Sequence, residues 1–457
     1  RALRVATLVF AFIAPPMLAG FVTLYSRTRG ADALDPVATG GVPMPPRPPA
    51  ADATGRRLAV IVAGNRGTEI TDSLALVELL EESGAFQVRI VAPRRVVSPF
   101  RSNAIGGAGV DFVPDLSFAD YDALVGRPPD LLIVPYLSAW QHEDAAVVPW
   151  IRAHVGPETM LLSICQGAEV AAATGLFDGY AATGHYRGLD RLAAEHPQIN
   201  YKRDVRWVRD RNRMSSGSLT AGLDATLAAI DRIAGRAAAL RAATAAAYRH
   251  THFLDDPTSV GSRDRTGLIL EMAYRWKRTK VAVVIGEGAS ESAIAALLDM
   301  YAATLTTDSV AVAMSPDVLS TRHGVRLLPH DTTAHLGDYR YIAFAAAVPV
   351  GVASYDAALA EIAHTHGKPM SRAAARLMNY PAQGLGLEGG IPVGVAMVFR
   401  IVFLGLLGVL ARFAIIRWSS RRRVAPGVIA DCLDRSPIQR RVRDFATSRG
   451  SSSSRAA

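Results

Sequence analysis

Residues 160–164, Met-Leu-Leu-Ser-Ile, form a nearly unbroken apolar run that reads as a buried strand. The chain then turns at once, through Cys165 and Gly167, into an alanine-rich segment that keeps a helical pattern to about Ala173. A strand that hands over to a helix so abruptly holds its central side chain out at the top of a sheet. It also sets that side chain at a helix N-terminus, where N–H groups and the helix dipole favour an anion. A thiol placed there is expected to have a lowered pKa and to be partly thiolate at neutral pH. Two readings stay open at this point: a reactive Cys165, or a small buried hydrophobe, as most free cysteines are.

The surrounding pattern repeats strand and helix. Residues 58–63 are a short apolar strand suited to burial on both faces. Residues 71–83 read as a helix with Leu74, Leu76, Val77, Leu79 and Leu80 inside. Strands are expected at 86–91 and 130–134, and a helix at 149–155 leads into the Cys165 strand. This rhythm means a doubly wound α/β layer, which binds ligands at the carboxyl ends of its strands.

Four motifs downstream of this point agree in order. Cys165-Gln166-Gly167-Ala168, Gly175-Leu176-Phe177-Asp178-Gly179, Ala182-Thr183-Gly184-His185-Tyr186 and Ser216-Gly217-Ser218-Leu219-Thr220-Ala221-Gly222-Leu223-Asp224 resemble the PfpI superfamily. That is the glutamine-amidotransferase-like fold of the Parkinsonism-associated deglycase, isocyanide hydratase and the sensor lobes of some AraC-type regulators. The resemblance covers about residues 57–235 and is nearest to the last two branches. It implies a flavodoxin-like parallel sheet with a nucleophile elbow, with Cys165 as nucleophile. It also implies an acidic residue beside the sulfur: Asp72 matches the spacing of the isocyanide-hydratase branch, with Glu69 one turn earlier.

A carboxylate beside a thiol can act as a general acid or base, or hydrogen-bond an oxidised sulfur if burial raises its pKa. Thr71 or Asp72 as an ordinary helix cap is the competing assignment. His185 is the activating base the sequence offers, with a hydrogen-bonded structural histidine as its alternative. Two departures weigh against hydrolysis. Active members carry a Pro-Gly-Gly turn whose N–H groups build an oxyanion pocket, whereas this strand runs into Pro135-Tyr136-Leu137-Ser138-Ala139-Trp140. Gln166 stands where protease-like members have histidine.

After a helical connector at 236–278, with a loop expected over 250–265, the DNA-binding domain of the AraC-type regulators does not follow. Residues 280–288 instead repeat the opening strand and 293–302 its helix. Residues 314–318 parallel 92–96, 324–329 parallel 109–114, and Asp338-Tyr339 parallels Asp120-Tyr121. This second lobe, 279–385, has no Cys-x-Gly elbow and reads as a degenerate packing partner. His323, His330 and His335 are spaced too loosely for a metal motif and read as scattered surface histidines.

Apolar segments flank the lobes. Residues 5–25 carry no charge and are long enough to span a bilayer. Their length favours an anchor within 1–26 over a cleaved signal, and a Pro-rich linker fills 27–56. Pro15-Pro16 is expected to kink this span. Residues 391–418 form the second candidate span, interrupted by Arg400, with an interfacial amphipathic helix as alternative. The arginines of the tail, 419–457, mark a cytoplasmic side, so both termini are placed inside and both lobes outside; Ser451 to Ser454 are expected to be disordered. The formal charge of +9 lies mostly at the ends, which points to lipid rather than nucleic acid as a partner. Two cysteines, Cys165 and Cys432, make neither a disulfide framework nor a metal site.

The expectation is therefore a two-pass cell-membrane protein with no cofactor and no metal, and a small molecule as ligand. The family resemblance adds a homodimer. Two functions compete: a non-catalytic or weakly active ligand- or redox-sensing module, and a cysteine-dependent hydratase, hydrolase or deglycase acting on a small electrophile.

Overall fold

The computed structural model describes residues 2–29, 35–37, 44–48, 55–102, 108–142, 144–259, 264–349 and 351–422. Cys432, most of the basic tail and its serine-rich end lie outside them. The described chain separates into two compact units, one within residues 21–398 and one formed by the described parts of 1–20 and 399–457, that is 2–20 and 399–422.

In the larger unit, apolar runs that expose no polar edge become the middle of a seven-stranded sheet. Its order is Trp207–Asp210, Arg213–Ser216, Met160–Ile164, Leu131–Val134, Arg57–Val62, Phe86–Ala92 and Leu116–Ser117. All neighbours are parallel except the first pair. Helices cover both faces, giving two hydrophobic cores, as a doubly wound sheet requires. The first helix begins at Leu74 rather than Thr71. Thr71, Asp72 and Ser73 are drawn into hydrogen bonds elsewhere, so Asp72 sits in the turn before the helix. Thr251–Leu254, expected as loop, forms a 3-10 turn.

The second lobe has a four-stranded parallel sheet in the order Asp331–Thr332, Thr307–Ala313, Thr279–Val284 and Tyr341–Phe344. This matches the first lobe from Leu116–Ser117 to Leu131–Val134 and stops where the Cys165 strand would follow. Every residue of its first helix, Glu291–Ala302, is buried. A helix apolar on all sides must be enclosed, and this one lies between the first-lobe helix Leu74–Glu82 and the helix Ser354–His366.

The two lobes meet through repeated parts. Ala108–Val113 pairs antiparallel with Arg326–Leu328, Val113 facing Arg326, Phe112 facing Leu327 and Asp111 facing Leu328. Because 109–114 parallels 324–329, Phe112 faces its own counterpart, the signature of a two-fold contact. The helices repeat the relation. Glu78 Oε2 accepts from Ser290 Oγ (2.6 Å) and Ser292 N (2.8 Å) at the start of the second-lobe helix. Asp299 Oδ2, on that helix, accepts from Thr71 N (3.1 Å) and from Thr71 Oγ1 at the start of the first. Glu78 satisfies an N–H group that the second-lobe helix leaves open, and Asp299 ties down the turn before the first-lobe helix.

Two of the three histidines are not on the open surface. His323 Nδ1 lies 3.0 Å from Glu291 and its Nε2 3.4 Å from Glu82, while His330 Nε2 lies 3.0 Å from buried Asp111. His323 and His330 each lie beside a first-lobe acid. His335 is exposed and pairs with Asp331 at 2.6 Å.

The smaller unit contains most of two helices, Ala2–Thr28 and Val395–Arg422. Both are long and apolar enough to cross a membrane. The first runs as one helix through Pro15 and Pro16. A Cβ at Gly408 would sit 2.1 Å from Ala11 O, the close backbone approach that small residues allow between apolar helices.

Candidate functional site

The site grows from one strained residue. Met160–Ile164 is fully buried, and Cys165 follows it at φ +57, a left-handed conformation that a side chain adopts only when its surroundings hold it. The Cys165 N–H donates to Ser216 O (3.2 Å), and its carbonyl accepts from His185 N (3.1 Å). Gly167 makes the turn sterically feasible, since a Cβ there would lie 2.2 Å from Val134 O. The elbow anticipated around Cys165 is present in the backbone.

The side chain is another matter. Cys165 is 4 % exposed. Burial pushes its thiol well above the ordinary value, and the nearby carboxyls of Asp72 and Glu69 push further, against a hydrogen bond from the Gln166 N–H. The helix-terminus argument for a lowered pKa is therefore overturned: two acids and the loss of water outweigh a short helix dipole.

Glu69 and Asp72 are fully buried beside the thiol. Glu69 Oε2 accepts from Asp72 N at 2.6 Å, and Asp72 Oδ2 from Tyr136 N at 3.3 Å. Burial raises Glu69 well above the carboxylate range, reinforced by Asp299 and Asp72. Burial likewise raises Asp72, against the Tyr136 N–H and with Asp299 adding to the rise. Neither Thr71 nor Asp72 caps the helix; Ser73 holds the cap position without a side-chain bond.

His185 does not join them through its ring. Its imidazole tilts against Tyr186, 4.6 Å between centroids, and Nδ1 has no hydrogen-bond partner among the described residues. Burial and the cations Arg187 and Arg265 push it down to about 3, so it stays neutral. Its hydrogen bond to Cys165 is made by the backbone N–H.

The loop that replaces Pro-Gly-Gly is tied down. Tyr136 N is spent on Asp72, Ser138 N donates to Gly67 O (2.8 Å), and Glu69 N donates to Tyr136 O (3.0 Å). Two of its N–H groups therefore have partners other than an oxyanion. A small cavity of about 50 Å³ takes in Thr183, Gly184, Tyr186 and Gly217 but neither Cys165 nor His185.

Sequence reasoning missed what the second lobe adds. Asp299 binds Thr71, and the Tyr355 hydroxyl donates to Thr71 Oγ1 at 3.0 Å. Both are buried and bear electrostatically on Glu69 and Asp72. The available signal was Asp299 itself, an acid set between Leu298 and Met300 in the apolar middle of its helix. No group of three or more His, Cys, Asp or Glu side chains placed to hold a metal occurs among the described residues.

A search of the curated proteins returns no match. Among solved structures, the chain is similar to an AraC family transcriptional regulator from Pseudomonas putida, at 18 % identity over 41 % of this chain and 97 % of that one, with a TM-score of 0.33. It is similar to a ThiJ/PfpI family protein from Pseudomonas syringae, at 23 % identity over 45 % and 82 %, TM-score 0.36. Drosophila melanogaster DJ-1beta is similar at 16 % identity over 41 % and 96 %, TM-score 0.34. The model of the DJ-1/PfpI family matches residues 56–232, the segment that carries the seven-stranded sheet and the Cys165 elbow. Across those residues, somewhat over a third of its length, the chain is similar to the DJ-1/PfpI family.

Proposed function

We propose that this is a membrane-anchored sensing module in which a DJ-1/PfpI lobe has kept its architecture and given up nucleophilic catalysis. One observation carries the reading: the Cys165 sulfur is enclosed, beside the buried carboxyl groups of Glu69 and Asp72, and burial raises its thiol above the ordinary value. A nucleophile needs the thiolate and an open approach. Here burial raises the thiol, His185 is neutral and turned to Tyr186, and the substitute for the glycine turn has bound two of its N–H groups elsewhere. The same raised thiol disfavours fast oxidation of Cys165, so the sensing is of a ligand.

Two apolar helices support the anchor. Under this reading both lobes face out of the cytoplasm and both ends face in, because arginines crowd the chain after the second helix.

The enzyme reading rests on the retained strain at Cys165, since positive φ at a non-glycine elbow is a feature of active sites. Turnover of methylglyoxal and isonitriles by the purified full chain and by Cys165→Ser separates the two. The sensing reading expects no turnover from either; turnover that Cys165→Ser abolishes contradicts it.

A further inference from the structure

A cavity of about 660 Å³ opens away from the cysteine, between the connector around His250 and the segment that follows the helix Lys368–Met378. Its size falls within the ~300–1,000 Å³ of small-molecule sites. Its lining contains Arg206, Arg249, Arg376, His250 and His252 and no aspartate or glutamate.

These cations are not equivalent. Arg206 is buried and held by Asp224, with Tyr248 donating to the same carboxylate at 2.7 Å, while its Nη2 has no hydrogen-bond partner among the described residues. Arg249 pairs with Asp356 at 3.2 Å. Arg376 is exposed and makes no ion pair among the described residues. His250 is 8 % exposed, and its Nε2 has no hydrogen-bond partner among them. Its ring is met edge-on by Tyr380 at 5.6 Å and Tyr248 at 5.4 Å. Burial above all, then Arg249 and Arg206, push His250 down to about 4, and Arg376 brings a positive charge that no acid in the described lining offsets. An anion would offset it, and Phe253, Tyr380 and Pro381 supply an apolar wall for an organic body.

We propose that this cavity binds a small organic anion, a carboxylate or phosphate ester, whose charged head Arg376 takes in a two-pronged contact with His250 beneath it. Arginine's planar fork matches both head groups. The inference deepens the sensing reading by naming its ligand class. It also gives the ligand something to move. The segment holding Arg376, Asn379 and Tyr380 is fastened to the first lobe by Arg206 Nη1 to Asn379 O (2.8 Å), Asn379 Nδ2 to Ser218 Oγ (3.1 Å) and Thr220 Oγ1 to Met378 O (2.9 Å). From there the chain runs on to the apolar helix that begins at Val395. A bound anion tightens this attachment.

The test is calorimetric titration of the full chain in detergent with phenyl phosphate, benzoate and inorganic phosphate at constant ionic strength. Saturable binding is expected, tighter for the two organic anions, about tenfold weaker in Arg376→Ala and unchanged in Arg209→Ala, an exposed arginine outside the cavity. No saturable binding, equal binding by Arg376→Ala, or inorganic phosphate matching the organic anions overturns the proposal. Cysteine-dependent turnover would instead sink the sensing reading and leave this site standing, so the two failures are distinct.

Discussion

Burial makes a carboxyl group costly to ionise, and this rule governs the residues around Cys165. Glu69 and Asp72 are both buried and raised, and Asp299 close by adds to the rise of each. With a folded-state pKa above the unfolded one, Glu69 makes the native chain bind a proton that the unfolded chain has released. Stability must then fall as pH rises from the ordinary carboxylate value toward the raised one. Glu69→Gln removes that loss while keeping an acceptor for Asp72 N. It should match the unmodified protein near pH ~4 and exceed it at pH ~8 by about 1–2 kcal/mol in chemical denaturation. A loss of stability at both pH values would contradict this. The elbow at Cys165 was legible as a local pattern, whereas Glu69 and Asp72 came to stand beside it only through the family resemblance. The sequence hid Asp299 and Tyr355, which arrive from 228 and 284 positions away in sequence from Thr71. It also misjudged the thiol, because a dipole is legible in a motif and desolvation is not.

At the scale of elements, the repeat explains the packing. A helix and a strand that each lobe would leave uncovered are covered by their own copies, so Phe112 meets Leu327, Glu78 holds the start of the second-lobe helix and Asp299 holds the turn before the first. Phe112 is fully buried and stacks on Phe100 at 4.0 Å between centroids. Phe112→Ala should cost about 3–5 kcal/mol in a single unfolding transition if the lobes share one core; separate transitions would argue against the shared core. His323 gives the contact a pH dependence. Burial opposes its protonation, but the hydrogen bond and charge of Glu291, with Glu82 and Glu78, outweigh it and raise its pKa. A raised histidine contributes fully below its unfolded value and loses that contribution as pH rises through the folded one. Hydrogen exchange in Glu291–Ala302 should therefore quicken with pH across that window beyond its intrinsic rate, and His323→Gln should abolish the excess. The repeat was legible in the apolar strands and the paired Val-Pro and Leu-Pro ends. Which faces would meet was not, because two-fold pairing is a property of surfaces rather than of periodicity.

For the whole molecule, an internal two-fold contact has a consequence for assembly. The strand Ala108–Val113 and the helix Leu74–Glu82 are already engaged by the second lobe, so a homodimer through this face would need the lobes to part. In the two-pass reading the protein stays with membranes after alkaline carbonate washing, and protease added outside spheroplasts spares the arginine-rich tail. Release by carbonate would contradict the anchor. Gly408→Ile, which fills the space Ala11 O occupies, should loosen the two apolar helices and lower the thermal stability of the detergent-solubilised chain.

The most direct test of a silenced cysteine is the rate of maleimide attachment to Cys165 in the folded full chain, in a Cys432→Ser background, from pH ~6 to ~8. An enclosed thiol with a raised pKa predicts labelling far slower than in the denatured chain, with no step across this range. Rapid labelling below neutral pH, lost when Asp72 is changed to asparagine, would show an active thiolate and contradict the account.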